Sequence, residues 1–344
     1  MRILALLLLA GCAPPPSVAP GGGASEGRPR TLACRVEDRG LLFKDNASGV
    51  IGLDGAMSLE LSKGRVLWVF GDTFFGGWNG DGSRRYAGSA TNTGIVNGKF
   101  VGKPDQIIAF PAMKGDLRVW PLDGIVIEGR AWMYYVVVEA DSKQPFGFRT
   151  LGHGVAKGND EGTQFTPVGK PLWEQTSYGT SVMGRGGWLY LYGGGPKGLA
   201  FPMSLARVAP ARLTEASAYE YWDGKGWSPR AVELFSGGPE MTVRWNGWLR
   251  AYLAIYVAPF GKSILARIAP EPWGPWSEPR ELVTLDLSGE KVIAYGGKQH
   301  VELDEEGSRV IIVTVNTNLF GASLDELARR PEVYWPRMYR VTFE

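Results

Sequence analysis

The sequence predicts an all-β fold, a five-bladed β-propeller, and three observations support this prediction. One hairpin pattern recurs through most of the chain, its copies lie about 60 residues apart, and no stretch has the apolar periodicity of a long amphipathic helix. The 48 glycines and 13 tryptophans suit many tight turns and a sheet-rich core. An irregular all-β sandwich is the alternative fold.

Each copy of the pattern is a polar residue or glycine, an apolar residue three positions later, a tight turn and an apolar strand. The copies begin at Asp54, Asp123, Gly179, Glu240 and His300, with spacings of 69, 56, 61 and 60 residues. A second repeated segment supports a period near 60, because the segment 205–210 recurs in similar form at 265–270. A period near 60 with about four short strands per unit is typical of a β-propeller.

The chain divides into a signal peptide at 1–11, a flexible linker at 12–30 and the propeller at 31–344. Arg2 and the apolar run that follows it form a short signal, and the sequence LAGC that ends at Cys12 resembles a bacterial lipobox. We therefore expect Cys12 to carry a lipid that anchors the protein in the bacterial cell envelope, facing the periplasm or the extracellular side. An ordinary secretory signal with a chance cysteine is the alternative.

Composition narrows the classes of function. The net charge is only +2, and no clustered basic face indicates a nucleic-acid partner. If Cys12 is acylated, Cys34 is the one thiol left, so no intrachain disulfide can form. No metal-binding or cofactor-binding motif is present, so we expect no cofactor, and we expect a monomer. The strand near 32–36 is predicted to complete the last blade.

The repeat predicts a site, because the innermost strands of a propeller line one central channel. The first residues of the five copies should then form a ring at one mouth of this channel. Asp72 follows the strand that pairs with the one after Asp54, so it should lie beside Asp54 on the rim. Crowded carboxylates raise each other's pKa, which costs stability and is typical of acid–base chemistry. Two carboxylates about 5–9 Å apart are the requirement for glycoside hydrolysis.

The candidate catalytic residues are Asp54, Asp72, Asp123 and Glu240, and the candidate substrate-binding residues are His300, Trp78, Trp120, Tyr178 and Arg84. Mouth tryptophans suit stacking on sugar rings, although most tryptophans of a propeller pack between blades. Each acid also has a plain structural interpretation, as a turn or rim residue, and His300 as a buried hydrogen-bonding residue. The two histidines and the absence of G-x-S-x-G argue against a serine hydrolase.

Several motifs resemble the bacterial family catalogued as domain of unknown function 4185. They are the runs at 54–58 and 67–73, the Trp-Pro-Leu-Asp at 120–123, the Tyr-Glu-Tyr-Trp at 219–222, the Pro-Trp-Ser-Glu at 275–278 and the segment around His300. The resemblance covers most of 45–343. It implies a five-bladed propeller similar to arabinanase and sucrase glycosidases, and some members of the family are endo-D-arabinanases.

The resemblance implies an aspartate pair at Asp54 and Asp72. Arabinanase-like relatives instead use two aspartates and a glutamate as base, pKa modulator and acid, and the matching positions are Asp54, Asp123 and Glu240. Both assignments include Asp54, and its partner stays open. We therefore expect a surface glycoside hydrolase acting on a furanoside-containing, arabinan-like polysaccharide, with Asp54 as nucleophile or base. A non-catalytic carbohydrate-binding propeller is the alternative.

Overall fold

The computed structural model describes residues 31–97, 117–144, 147–174, 176–198 and 200–344, and the backbone of 99–100. The predicted signal peptide and linker, including Cys12, lie outside the described residues. In this part of the chain, no helix is long and apolar enough to cross a membrane.

The structure is built almost entirely from short strands. The first half contains β1 (Cys34–Leu41), β2 (Val50–Leu53), β3 (Met57–Ser62), β4 (Arg65–Phe70), β5 (Thr73–Trp78), β6 (Arg84–Ala90), β7 (Thr93–Val96), β8 (Lys99–Phe100), β9 (Leu117–Ile127), β10 (Arg130–Ala140), β11 (Phe148–Gly158) and β12 (Phe165–Pro167). The second half contains β13 (Ser181–Arg185), β14 (Trp188–Gly194), β15 (Pro202–Val208), β16 (Glu220–Trp222), β17 (Trp227–Ser228), β18 (Phe235–Ser236), β19 (Met241–Asn246), β20 (Ala251–Tyr256), β21 (Ser263–Ala269), β22 (Arg280–Thr284), β23 (Val292–Gln299), β24 (Val310–Leu319) and β25 (Pro336–Phe343).

Helical structure in the described residues is limited to short segments. Four 3₁₀ turns lie at Pro210–Arg212, Ala216–Ala218, Val301–Leu303 and Glu306–Ser308. One short helix, α1 (Leu324–Ala328), precedes β25. It begins at a capping box, in which the Ser323 hydroxyl accepts from the Glu326 amide and the Glu326 side chain accepts from the Ser323 amide.

The strands form antiparallel sheets that follow one another along the chain. The sheet orders are β3-β4-β7-β8, β12-β11-β10-β9, β13-β14-β15-β16-β17 with β18 beside β15, β19-β20-β21-β22, and β1-β25-β24-β23. A smaller sheet, β2-β5-β6, adjoins the first of these. Four of the five hairpins predicted from the sequence pair as expected. The fifth prediction is wrong in its first strand, because β24 pairs with β23, which ends before His300, and not with a strand that starts there.

The leading strands of these sheets pack side by side. β3 contacts β9, β9 contacts β13, β13 contacts β19, and β19 contacts β23. A hydrogen bond of 2.5 Å between Ser58 of β3 and His300 after β23 closes the circuit. This ring of inner strands confirms the predicted β-propeller class, and the number of blades stays a prediction.

The apolar core lies in layers between neighbouring sheets, because each strand presents alternate side chains to opposite faces. On β10, Tyr135 packs with Met57 and Val69 of the sheet before it. Its neighbour Tyr134 packs with Val182 of the sheet after it. β10 is therefore apolar on both faces, which explains the continuous apolar run in its sequence.

The two ends of the described chain meet in one sheet. β1 pairs with β25 along most of its length, from Cys34 opposite Phe343 to Leu41 opposite Arg337. The pairing confirms the prediction that an N-terminal strand completes the last sheet. Cys34 carries a free thiol whose pKa is raised by burial, so this closure rests on strand pairing and packing.

Candidate functional site

The first feature of the site is the adjacency of Asp54 and Asp72. Asp54 precedes β3 and Asp72 follows β4, the strand paired with β3. The Asp54 amide donates to the Asp72 carbonyl at 3.1 Å, and the Gly71 amide donates to the Asp54 carbonyl at 2.8 Å. The two residues thus extend the β3–β4 hairpin at its open end, as its geometry predicts.

The Asp54 carboxyl group lies among like charges. Burial raises its pKa to about 7, and the carboxylates of Glu240 and Asp72 add to this increase. The Tyr295 hydroxyl donates to Asp54 Oδ1, and this bond and the nearby Lys298 ammonium lower the pKa by a smaller amount. Asp54 therefore exchanges its proton near neutral pH, whereas an ordinary aspartate is ionised there.

Glu240 enters this group from the start of β19, and its carboxylate is close enough to raise the pKa of Asp54. Its Oε2 lies 2.5 Å from the Nζ of Lys298, whose side chain is only 5% exposed, whereas that of Glu240 is 28% exposed. Glu240 is thus an accessible carboxylate with its own counter-ion beside the protonatable Asp54.

Asp72 has a different set of partners. The guanidinium of Arg118 contacts its Oδ2 at 2.5 Å, and the indole Nε1 of Trp120 donates to its Oδ1 at 3.2 Å. Burial nevertheless raises the pKa of Asp72, against the effect of Arg118. The Trp120 ring packs edge-on against Phe148 at 4.7 Å and stays partly exposed, so it forms a wall of the site.

Glycine residues make room for the carboxylates. A Cβ atom at Gly55 would lie 3.4 Å from Glu240 Oε2, one at Gly296 3.3 Å from the same oxygen, and one at Gly71 3.6 Å from Asp54 Oδ2. Gly55 and Gly296 also have positive φ angles of 64° and 65°, which favour glycine. The backbone thus approaches the acidic group closely from three sides. We call Asp54, Asp72 and Glu240, with Lys298 and Arg118, the Asp54 cluster.

Asp123 lies away from the Asp54 cluster, in the interior of the inner-strand ring. It is fully buried within β9, not at the start of a strand as the repeat predicts. Its carboxylate accepts from the amides of Gly124 at 2.7 Å and Val182 at 2.6 Å, and from the guanidinium of Arg244 at 2.8 Å. These bonds tie β9 to β13 and β19, so the contacts of Asp123 are those of a structural residue.

His300 also lies in the interior. It follows β23, whereas the repeat predicts that it precedes the inner strand, and it is fully buried. Its two ring nitrogens contact the hydroxyls of Ser58 at 2.5 Å and Thr314 at 2.7 Å, and Trp68 packs on the ring at 4.5 Å. Burial and nearby cations lower its pKa to about 3. A neutral imidazole saturated by protein hydroxyls has no atom left to orient a substrate.

The sequence predicts that Arg84 binds substrate, and this prediction is wrong. Arg84 is buried, and its guanidinium donates to backbone carbonyls. It leaves the β5–β6 turn and is 3% exposed. Its guanidinium donates to the carbonyls of Ile51, Leu327, Arg330, Pro331 and Val333. A guanidinium has five N–H donors, so none remains for a ligand. The sequence could not show that the small sheet would be covered by the segment after α1.

The predicted aromatic residues separate into three environments. Trp120 lies in the Asp54 cluster. Trp78 is 41% exposed, but it is six residues beyond Asp72 along β5, about 20 Å away in an extended strand. Tyr178 is 5% exposed, and its hydroxyl is bonded to Ser204 at 2.7 Å. Of the three, Trp120 alone is in reach of a sugar held at Asp54.

Sequence reasoning missed Lys298, Tyr295 and Arg118. The first two lie on β23, which has an irregularity in its pairing between residues 295 and 298 that brings both side chains toward Asp54. The repeat placed the corresponding position of this sheet at His300, so β23 itself was overlooked. The Gly-Gly pair at 296–297, inside an otherwise strand-like run, is the signal that could have indicated a bulge.

The arrangement suits proton transfer coupled to attack on a polar bond. It combines one carboxyl group that is protonatable near neutral pH, two further carboxylates each held by a cation, and an aromatic wall. Perturbed carboxyl groups with specific charge partners are typical of general acid–base sites. In the described part of the chain, no group of three metal-ligating side chains is arranged to hold a metal ion.

Comparison with known families gives one match over most of the chain. The profile of "Domain of unknown function (DUF4185)" matches residues 44–315. Among curated proteins, notoamide biosynthesis cluster protein J of Aspergillus sp. (strain MF297-2) is 27% identical over 140 residues, which cover 38% of this chain and 36% of that protein. Protein J′ of Aspergillus versicolor is 28% identical over 140 residues, covering 38% and 37%. The chain thus matches little more than a third of the length of these relatives.

Solved structures show the same fold. A presumed hydrolase of Bacteroides ovatus ATCC 8483 is 20% identical, with a TM-score of 0.72, and the match covers 92% of this chain and 93% of that one. A family-43 β-xylosidase/α-arabinofuranosidase from a compost microbial metagenome is 14% identical, with a TM-score of 0.50 and coverage of 90% and 95%. An exo-β-1,3-galactanase of Phanerochaete chrysosporium is 14% identical, with a TM-score of 0.52 and coverage of 88% and 64%. The chain therefore belongs to the DUF4185 family and has the β-propeller fold that the family-43 glycoside hydrolases share.

Proposed function

We propose that this protein is a glycoside hydrolase that cleaves a furanoside-containing, arabinan-like polysaccharide. The observation that carries the proposal is the Asp54 carboxyl group, whose pKa is raised to about 7 between the carboxylates of Asp72 and Glu240. Glycoside hydrolysis needs one carboxylic acid to protonate the leaving oxygen and one carboxylate on the other side of the bond. The Asp54 cluster supplies both protonation states at neutral pH.

The geometry favours a role for Asp54 that differs from the sequence-based expectation. A carboxyl group with a raised pKa keeps its proton and serves as the general acid. Glu240, which is more exposed and is paired with Lys298, serves as the ionised carboxylate that attacks the sugar or activates water. Asp72 is held by Arg118 and Trp120, and its negative charge helps to keep Asp54 protonated.

The substrate class is supported by the aromatic wall and by the fold. Trp120 presents a partly exposed ring beside the cluster, where the apolar face of a sugar can stack. One protein with the same fold is named as a β-xylosidase/α-arabinofuranosidase, which is consistent with a pentose substrate. Anchoring through Cys12, which would place this activity at the cell envelope, is part of the same proposal.

The test is a screen of purified protein against arabinans, arabinogalactan and xylan, with sugar release measured by chromatography. Asp54→Asn serves as the inactive control, and azide is added to Glu240→Gln to look for rescue. Release of sugars by the parent and not by Asp54→Asn supports the proposal. Equal release by both proteins would exclude Asp54 from the chemistry, and no release from any polymer would remove the proposed activity.

A carbohydrate-binding propeller without catalysis is the second candidate. It is favoured by the ion pairs of Asp72 and Glu240 with cations, since charge-neutralised acids can simply accept hydrogen bonds from sugar hydroxyls. This candidate predicts retention of the protein on a polysaccharide column with no release of sugar. It also predicts that Asp54→Asn binds as the parent does.

A further inference from the structure

A cavity of about 470 Å³ lies near the ends of inner strands β13 and β19, whereas Glu240 of the Asp54 cluster lies at the start of β19. It is lined by the last residues of β13 and β19, by Tyr252 at the start of β20, and by Val301. Trp245 in its wall is five residues along β19 from Glu240, about 17 Å in an extended strand. This volume is in the usual range for small-molecule sites, and the cavity is separate from the Asp54 cluster.

The wall of this cavity is a fixed aromatic platform. Trp245 is 49% exposed, and among the described tryptophans only Trp78 is comparably exposed. Trp245 and Tyr252 are cross-strand partners, and their rings meet edge-to-face at 5.2 Å. The guanidinium of Arg185 lies over the Tyr252 ring at 5.0 Å. The contact with Tyr252 restricts the indole on one side, and its exposed half is available to a ligand.

The charges around the platform are already balanced. Arg185 is bonded to Glu271 at 2.8 Å, and both side chains are partly exposed at the rim. Arg244, the other cation of the lining, is bonded to the buried Asp123 at 2.8 Å. An anionic ligand would find no uncompensated cation here. A neutral ligand with hydroxyl groups could donate to Glu271 and accept from Arg185, because a hydroxyl does both.

We propose that this cavity is a second saccharide-binding site, which holds a neutral segment of the same polysaccharide without cleaving it. The ligand has an apolar face that stacks on Trp245 and a hydroxyl edge that meets the Arg185–Glu271 pair. The inference rests on the proposed function for the identity of the polysaccharide. A sugar chain bound at both sites would raise the local concentration of cleavable bonds at the Asp54 cluster.

The test uses affinity electrophoresis in native gels that contain soluble arabinan, arabinogalactan or xylan. The variants are Trp245→Ala and Trp245→Leu. The matched control is Leu324→Ala, which also removes an exposed apolar side chain, but on α1 and away from the cavity. Thermal melting of each variant checks the fold. The rate on a short oligosaccharide of the same sugar is measured in parallel, since a short chain reaches one site at a time.

We expect both Trp245 variants to lose binding to the polymer by on the order of tenfold, with the control unchanged and hydrolysis of the short oligosaccharide within about twofold. Equal retardation of the Trp245 variants and the control would overturn the second site and leave the proposed function standing. Lost retardation in a protein that cleaves no polymer would support the second site and overturn the proposed function. A parent protein retarded by none of the polymers would overturn the second site.

Discussion

Asp54 and Asp123 are two carboxylates on neighbouring inner strands of one propeller, and their surroundings differ completely. Asp123 is fully buried, and its oxygens accept from two backbone amides and one guanidinium. Asp54 has the Tyr295 hydroxyl as its side-chain donor and lies beside the negative charges of Glu240 and Asp72. The neighbours of Asp123 donate hydrogen bonds to its carboxylate, whereas the neighbouring carboxylates of Asp54 disfavour its ionised form.

The difference separates an acid with structural contacts from an acid whose surroundings suit proton transfer. A buried carboxylate whose lone pairs are occupied holds strands together and has little capacity left for a substrate. A carboxyl group that is desolvated and crowded by like charges has a raised pKa, which costs stability and makes proton transfer near neutral pH feasible. The number of acids near the axis of a propeller therefore says less about catalysis than the donors that surround each acid.

The largest expected effect follows from removing the protonatable group. Asp54→Asn keeps the shape of the side chain and loses the exchangeable proton, so we expect kcat on the polymer to fall by on the order of 10³-fold. The melting temperature at pH 4 should stay close to that of the parent. A steady-state assay and a thermal melt check this, and a variant with more than a tenth of the parent activity would contradict it.

Asp123→Asn should have the opposite effect, a loss of stability without a direct loss of catalysis. It leaves the Arg244 guanidinium, which is 12% exposed, without its charge partner. We expect a loss of about 3–5 kcal/mol in the free energy of unfolding, the usual effect of breaking a buried ion pair.

Urea unfolding measures this loss. The double variant Asp123→Asn/Arg244→Met, which removes both charges, should recover part of the stability. A stable Asp123→Asn protein with lost activity would place Asp123 in the chemistry instead.

Lys298→Met tests how the charges around Asp54 set its pKa, because it removes a positive charge near Asp54 and leaves the Asp54 carboxyl group in place. The Lys298 ammonium lowers the pKa of Asp54, so its removal should raise this pKa. The alkaline limb of the kcat/KM profile should then move to higher pH, by less than the 1–3 units of a direct ion pair. A profile that moves to lower pH, or not at all, would show that another group sets this limb.

The smallest expected effect is the change with pH in the melting temperature of Asp54→Asn relative to the parent. The pKa of Asp54 is raised from 3.8 to about 7, so the fold favours its neutral form. Its contribution to stability is complete below pH 3.8 and is lost as the pH rises through 7. The asparagine side chain in Asp54→Asn cannot ionise, so the melting temperature of this variant relative to the parent should increase between pH 4 and pH 8, by about 2 °C or more.

Asp304, whose pKa is also raised to about 7 by burial, titrates in both proteins, and its effect cancels in this comparison. A melting-temperature difference that is constant with pH would mean that Asp54 titrates as an ordinary aspartate.

The sequence predicts the fold and one side of the site. The adjacency of Asp54 and Asp72 follows from a hairpin with a tight turn, because strand pairing fixes which residues meet at its open end. The spacing of the repeat also places Glu240 at the start of an inner strand. These predictions succeed since they depend on local patterns of turns and apolar residues.

The rest depends on departures from the repeat. The irregular pairing of β23 shifts its residues, so Tyr295 and Lys298 face Asp54 where equal spacing predicts His300. Arg84 has the composition of a surface loop, but a segment more than 200 residues later covers it. Asp123 differs from Asp54 in its donors and in the charges beside it, and sequence spacing specifies neither.

The pairing of β1 with β25 has a consequence for how the site around Asp54 assembles during folding. The circle of sheets closes only when β1 pairs with β25, which lies near the other end of the described chain. Glu240, Tyr295 and Lys298 reach Asp54 only through that closed circle, from positions far later in the chain. An unfolded chain therefore carries an aspartate of ordinary acidity at position 54, and the raised pKa of Asp54 reports that the circle of sheets has closed.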